Sequence, residues 1–160
     1  MAFRIETIAL DNGAHLGISP LPGRGGAGLV DLAQIARWEA DVVVSMTETL
    51  EMARHNMADL GGLLAQFDIA WAHFPIRDFG TPDYEARWQV LSPRLHKTLD
   101  KQGRVLAHCY GGHGRSGMVL LRLMVERGIP ANLALKQLRA ARPGAVETDA
   151  QFNWAAHPRP

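Results

Sequence analysis

The stretch His108-Cys109-Tyr110-Gly111-Gly112-His113-Gly114-Arg115-Ser116-Gly117 holds the only cysteine of the chain and, six places later, an arginine. The apolar run "RVLAHC" reads as a strand ending at Cys109, and "SGMVLLRLMVERG" reads as a helix buried nearly all round. A strand, a glycine-rich turn and a helix opening at Arg115-Ser116 would wrap successive backbone N–H groups around one point above the helix N-terminus. That is an anion nest. Glycines at 111, 112 and 114 are expected to supply the positive φ angles and close approach it needs. The nest and the positive helix end would favour thiolate at Cys109. Arg115 would offer a planar fork able to grip two phosphoryl oxygens, which lysine cannot. A lone cysteine at a strand end is ordinarily an inert core residue. The conjunction of apolar strand, His-Cys, loop glycines, Arg-Ser and buried helix points instead to a nucleophile that attacks phosphorus.

These residues need a scaffold, and the rest of the chain spells one. "FRIETIAL" alternates apolar and polar residues, and the turn signal "DNG" leads to "AHLGISP", which predicts an N-terminal hairpin. "DVVVSM" and "IAWAHFPI" read as buried strands. Helical spacing covers Leu29 to Glu39 and Met57 to Gln66. A long helix is expected from Thr81-Pro82-Asp83 to about Lys101, with Thr81 as N-cap, Pro82 at the first helical position and a kink or break at Pro93. Two further helices are expected near Pro130–Ala141 and Glu147–Ala155. Strands alternating with helices predict an α/β fold: a three-layer, mainly parallel sheet flanked by helices, with an antiparallel hairpin at one edge. Ligands in such sheets sit at the carboxyl ends of strands, where Cys109 falls.

With 160 residues, 47% hydrophobic and 21% charged, the chain is expected to form a single domain, residues 1–160. A formal net charge of +1 supplies no general field for nucleic acid or an anionic membrane, so no nucleic-acid partner is expected and anion recognition must be local. One cysteine excludes an internal disulfide framework. No apolar run reaches eighteen residues, and "MAFRIETIAL" lacks the features of a signal peptide. A cytoplasmic protein without a membrane span is the expectation. "GRGGAG", Gly23 to Gly28, fits a dinucleotide-binding pattern, but "ISPLP" before it carries two prolines where a central strand is required. His108, Cys109 and His113 match no usual zinc spacing, so neither metal nor other cofactor is expected.

His108-Cys109, five residues and Arg115-Ser116 resemble the signature of cysteine-dependent dual-specificity protein phosphatases. "LGISPLPG", "HFPIRDFGTPD", "HCYGGHGRSG" and "RPGAVETDAQFNW" are similar, in order, to segments of the branch that contains the cyclin-dependent-kinase-associated phosphatase, so the resemblance spans residues 16 to 154. It implies the cysteine-phosphatase fold and two-step hydrolysis of phosphomonoesters through a phosphocysteine intermediate, without metal. The loop Cys109–Arg115, with His108 and Gly117 flanking, would hold the phosphoryl group. Asp78 falls at the general-acid position; Asp83, the competitor, is read as a first-turn acid of the following helix. Ser116 would either hydrogen-bond the sulfur or cap the helix. His108 would orient the loop, or be a strand-end histidine. Gln151 falls where some relatives orient a water, although a helix-surface glutamine is the simpler reading. His113 departs from the pattern, which has an apolar residue there. It is either a solvent-facing neutral ring or a pH-dependent charge for multiply anionic substrates.

The implied partner is a phosphorylated protein or another phosphomonoester, a phospholipid included; oligomeric state is not readable. Two rival classes remain. A phosphate-binding module without turnover would not need Cys109, Arg115 and Asp78 together. A sulfurtransferase or arsenate-reducing enzyme would share the cysteine loop, but reductases of that kind need a resolving thiol that this chain lacks.

Overall fold

Alternating burial along the strands dictates the architecture. In a computed structural model, which describes residues 2–158, Val42 and Val44 face one side of the sheet and Val43 the other; Val105 and Ala107 likewise oppose Leu106. A strand buried on both faces requires helices on both, and the chain supplies them. The elements run β1 (Glu6–Ala9), β2 (His15–Ser19), α1 (Gly28–Arg37), β3 (Val42–Ser45), α2 (Thr49–Ala53), α3 (Leu60–Ala65), β4 (Ala70–His73), α4 (Glu85–Asp100), β5 (Arg104–His108), α5 (Gly114–Glu126), α6 (Ala131–Ala141) and α7 (Asp149–Ala156). Residues 1, 159 and 160 of the expected domain lie outside the described residues.

The sheet order is β1-β2-β5-β3-β4. The N-terminal pair is antiparallel, Glu6 opposite Ile18, and the other three pairings are parallel. Central β5 therefore pairs with β2 on one side and β3 on the other, and the three strands end level, at Ser19, His108 and Ser45. One face packs α4, α5, α6 and α7 through residues such as Trp88, Leu95, Met118, Leu121, Leu138 and Ala155. The opposite face packs α1, α2 and α3 through Leu32, Ile35, Met52, Leu60 and Leu64. No helix among the described residues is long and apolar enough to cross a membrane.

Two expectations about the long helix are corrected. It starts at Glu85, with Tyr84 in an extended conformation before it, so Thr81 is not its cap and Asp83 is not in its first turn. Glu85 is held by the Arg122 guanidinium and the Trp154 indole, and this fixes where the helix begins. The helix also continues through Pro93, so of the kink or break expected there the break does not occur. The carbonyl that Pro93 deprives of a donor belongs to exposed Gln89 and can be met by water, while Leu91, Ser92, Leu95 and Leu99 keep both turns anchored in the core.

Those turns are fastened further by Glu126 on α5. Its carboxylate accepts from Trp88 Nε1 at 2.9 Å, Ser92 Oγ at 2.8 Å, His96 Nε2 at 2.9 Å and Arg122 Nε at 2.9 Å. Burial works against the charged form, but these donors, His96 foremost, overcome it and hold the group at about 2. Its folded-state value lies below the unfolded one, so its stabilisation is complete above about pH 4.5 and is lost as pH falls towards 2. Urea unfolding of Glu126→Ala is expected to show a loss of about 3–5 kcal/mol at neutral pH, because buried Arg122 and the Trp88 indole lose an acceptor. That difference from the parent should shrink on acidification through the same window.

Candidate active site

Cys109 follows the last residue of β5 and α5 begins at Gly114, so residues 109–113 form the loop over the helix N-terminus. Every carbonyl that could crowd the inside of this loop is tied outward. Tyr110 O accepts from Leu21 N at 3.1 Å, Gly111 O and Gly112 O accept from Arg142 at 2.8 and 2.9 Å, and His113 O accepts from Gly117 N and Val146 N, both at 3.0 Å. The amides of residues 111–116 donate to no protein acceptor among the described residues. The result is a ring of outward acceptors and unspent donors.

The glycines reach this geometry differently from expectation. Of the loop glycines only Gly112 has positive φ, at 75°, and a Cβ there would lie 2.6 Å from the Ser19 carbonyl. Gly114 and Gly117 are required by proximity instead. A Cβ on Gly117 would sit 2.7 Å from Val146 N, and one on Gly114 would run into the Glu147 carboxylate.

Cys109 Sγ lies 3.2 Å from Ser116 Oγ, and the sulfur's residue is only 3% exposed. Ser116 makes no side-chain bond as an N-cap; His113 occupies that position. Beside the thiol, Arg115 is 1% exposed. Its Nη1 and Nη2 each lie 2.8 Å from one carboxylate oxygen of Glu51, and Nη1 also donates to Ile76 O at 2.9 Å. Burial tends to lower the arginine's pKa, but Glu51, with the nearby Cys109 and Asp78, more than offsets it and the group is raised. Burial likewise tends to raise Glu51, and the pair with Arg115 overcomes it so that the acid ends lowered. The ion pair is therefore charged on both sides. Arg115 Nε alone, buried, has no hydrogen-bond partner among the described residues.

Asp78, on the loop after β4, places Oδ1 3.3 Å from Arg115 Nη2 and is 54% exposed. Its Oδ1 also accepts from Phe79 N at 3.0 Å. Asp83 is elsewhere: with Thr81, Pro82, Glu85, Arg122 and Trp154 it lines a separate cavity of about 590 Å³. Gln151 is fully buried, which corrects the reading of it as a surface glutamine. Its Oε1 accepts from Glu147 N at 2.9 Å and its Nε2 donates to Gly80 O at 3.2 Å, so it ties the Asp78 loop to α7. Its protein bonds are those of a tether.

His108 is fully buried, and the direction of its hydrogen bonds is fixed by a group that can only accept. The Cys109 carbonyl accepts from His108 Nδ1 at 3.1 Å, so the ring proton is on Nδ1. In the neutral ring Nε2 then accepts from the Ser45 hydroxyl, which itself accepts from Trp71 Nε1 at 2.8 Å. The Nδ1 bond holds the cysteine carbonyl away from the loop interior. Burial, chiefly, pushes His108 down to about 4.

Four participants were not visible in the sequence: Glu51, Ser45, Trp71 and Arg142. Glu51 belongs to α2, a five-residue helix whose start is capped by a glutamate pair, Glu48 N donating to Glu51 at 2.8 Å. A Glu-x-x-Glu spacing was the available signal, but the strong N-cap residues are Ser, Thr, Asp and Asn.

An α/β sheet with a cysteine loop at the end of its central strand and a buried arginine at the start of the next helix is the fold of the dual-specificity phosphatases. Within that class, the chain belongs to the cyclin-dependent kinase inhibitor 3 (CDKN3) family, whose model matches residues 32–134. It is 36% identical over 117 residues to cyclin-dependent kinase inhibitor 3 of Rattus norvegicus, covering 71% of this chain and 54% of that protein. The chain thus spans about half the length of the curated relatives it matches. Among solved structures, it is similar to the kinase associated phosphatase carrying serine in place of its catalytic-site cysteine, with TM-score 0.84 and 26% identity over 97% of this chain and 93% of that one. Tk-PTP in its active form superimposes with TM-score 0.70 and 30% identity, covering 86% of each chain.

Below about pH 6.5 the unfolded chain takes up a proton at His108, whereas the folded chain does so only near 4. The folded-state value is the lower one, so stability from this residue is complete above 6.5 and falls between 6.5 and 4, by up to about 3 kcal/mol. Urea unfolding across this window should show a steeper acid loss in the parent than in His108→Gln. Nitrogen NMR at neutral pH should find the ring protonated at Nδ1 alone.

Proposed function

We propose that the chain is a cysteine-dependent phosphatase that hydrolyses phosphomonoesters of proteins through a phosphocysteine intermediate. The observation that carries this reading is the orphaned Nε–H of Arg115: a 1% exposed guanidinium has both terminal nitrogens committed to protein and one donor left over, beside the thiol and the unspent loop amides. A buried guanidinium donor without a protein acceptor is met by water or by an anion that enters the site. A phosphoryl group seated on the loop amides is such an anion.

In the first step Cys109 Sγ forms a bond to phosphorus while the ester P–O bond breaks. The loop amides and Arg115 Nε–H receive the equatorial oxygens. Asp78 gives its proton to the departing oxygen. In the second step water attacks phosphorus, Asp78 takes its proton, the S–P bond breaks, and the Ser116 hydroxyl supports the returning thiolate across its 3.2 Å contact. His108 contributes by orientation, and Glu51 by holding the fork of Arg115 square to the loop. The need for a free thiolate, with Cys109 the one cysteine and unpaired, supports placement in a reducing compartment such as the cytoplasm.

Cys109→Ser should abolish turnover but retain oxyanion binding by calorimetry, and Arg115→Lys should lose most of the rate because lysine has no Nε–H to offer the phosphoryl group while its terminus is held by Glu51. Turnover by Cys109→Ser would contradict the mechanism. Glu51→Gln keeps the shape but not the charge; it should lower kcat by about 10²-fold through a misaligned guanidinium. The proton donor is tested by the leaving group. Asp78→Asn should cost about 10²–10⁴-fold on a phosphothreonine peptide but far less on para-nitrophenyl phosphate, whose phenolate departs with little help. Asp83→Asn should show no such contrast.

A further inference from the structure

The outer side of the catalytic loop carries a second, uncompensated positive patch. A Cβ placed on Gly111 would be 3.4 Å from His113 Nδ1 and 3.8 Å from Arg24 Nη1, so one point above Gly111 is close to both nitrogens. The two nitrogens are therefore no more than about 7 Å apart across Gly111, a gap that two oxygens of one phosphoryl, sulfate or carboxylate group can bridge. Gly111 itself presents no side chain to fill the space.

The cradle is held in place from behind. The Arg24 guanidinium lies 4.3 Å from the Tyr110 ring centroid and makes a long contact, 3.4 Å, to the Tyr110 carbonyl, which leaves donors over. Arg142 closes the other side through its bonds to Gly111 O and Gly112 O. Neither Arg24 nor Arg142 is paired with a carboxylate among the described residues. Asp31, the nearby acid on the Arg24 side, is nearly buried and bound to Gly23 N at 2.8 Å. On the His113 side the acid is Glu147, whose carboxylate packs against Gly114.

We propose that Arg24 and His113 form a second anion subsite above Gly111, which receives a further phosphoryl or carboxylate group of a multiply anionic phosphopeptide while its scissile phosphate occupies the loop. This deepens, and rests on, the phosphatase reading. A peptide is favoured over a lipid surface because the chain's net charge of +1 gives little long-range attraction to an anionic membrane, whereas the Arg24 guanidinium beside His113 recognises an individual anion at contact distance. His113 makes the subsite pH-sensitive. Burial, then Arg142 and Arg24, hold it below the ordinary histidine range; an anion between the rings of charge reverses the last two influences and raises it. Binding therefore takes up a proton, and affinity rises as pH falls.

The test uses the whole chain with vanadate saturating the catalytic loop and inorganic sulfate, a dianion throughout the range, as probe. Sulfate should shift the His113 ring resonances saturably, raise that ring's midpoint by about one pH unit, and bind more tightly at about pH 6 than at about pH 8. Arg24→Gln should abolish the saturable shift. A His113 response that merely tracks ionic strength, as sodium chloride would produce, overturns the subsite. For the substrate, kcat/KM on a bis-phosphorylated peptide relative to its mono-phosphorylated form should fall at least about tenfold in Arg24→Gln. Equal losses on both peptides would reduce Arg24 to a support of the loop. A preference displayed for anionic vesicles but not for the bis-phosphorylated peptide would overturn the peptide assignment. The sulfate titration reads binding and not turnover, so its failure leaves the phosphatase mechanism standing, and an inactive enzyme leaves the subsite testable.

Discussion

A guanidinium buried to 1% exposure must be neutralised on the spot, and much of this molecule can be understood as the means of doing so for Arg115. The two terminal nitrogens need a carboxylate with matched geometry, and α2 exists to deliver Glu51 to them. They also need carbonyls, and Ile76 beyond the end of β4 provides one at 2.9 Å. With Met46 O, after β3, at 3.4 Å from Nη1, three separate segments converge on one side chain from the start of α5. Once they have met it, only Nε lacks a partner among the described residues, and its direction is no longer adjustable.

The same logic of spending acceptors outside so that donors remain inside governs the backbone around it. Arg142 and Leu21 draw the loop carbonyls outward, and the Trp71-Ser45-His108 chain does so for Cys109. Arg139 in turn binds Ala145 O at 2.8 Å and Val146 O at 2.9 Å, which fixes the segment whose Val146 amide secures His113 O. Gln151 extends the scaffold to the loop that bears Asp78. Groups that work by position are therefore supported from both faces of the sheet, while Asp78, the proposed proton donor, is left more than half exposed.

Elements whose cause is local were legible in the sequence. The hairpin, the buried strands β3 and β5 and the loop between Cys109 and Arg115 follow from periodicity, turn residues and spacing, and the structure places them where those features point; "IAWAHFPI", read as a buried strand, forms only the half-buried edge strand β4. What was not legible depends on tertiary partners. The start of α4 is set by Arg122 and Trp154 reaching Glu85 from other helices, against the helix-start signal of Thr81-Pro82. Pro93 is tolerated because the carbonyl it deprives of a donor belongs to exposed Gln89. Gln151 has the composition of a surface residue and the environment of a core one. Glu51 lies in a helix too short for a periodic pattern, 64 residues away from the arginine that it serves.

The central claim is that a phosphoryl group passes through Cys109. Mixing the enzyme with a phosphorylated aryl substrate, quenching in acid within the first turnover, and mapping the peptide that spans the loop by mass spectrometry tests it most directly. The account predicts the mass of one added phosphoryl group on Cys109, accumulating more in a variant slowed at the water-attack step than in the parent. Full turnover with phosphorus found on another residue, or with none bound at any time in a variant that hydrolyses slowly, would contradict it.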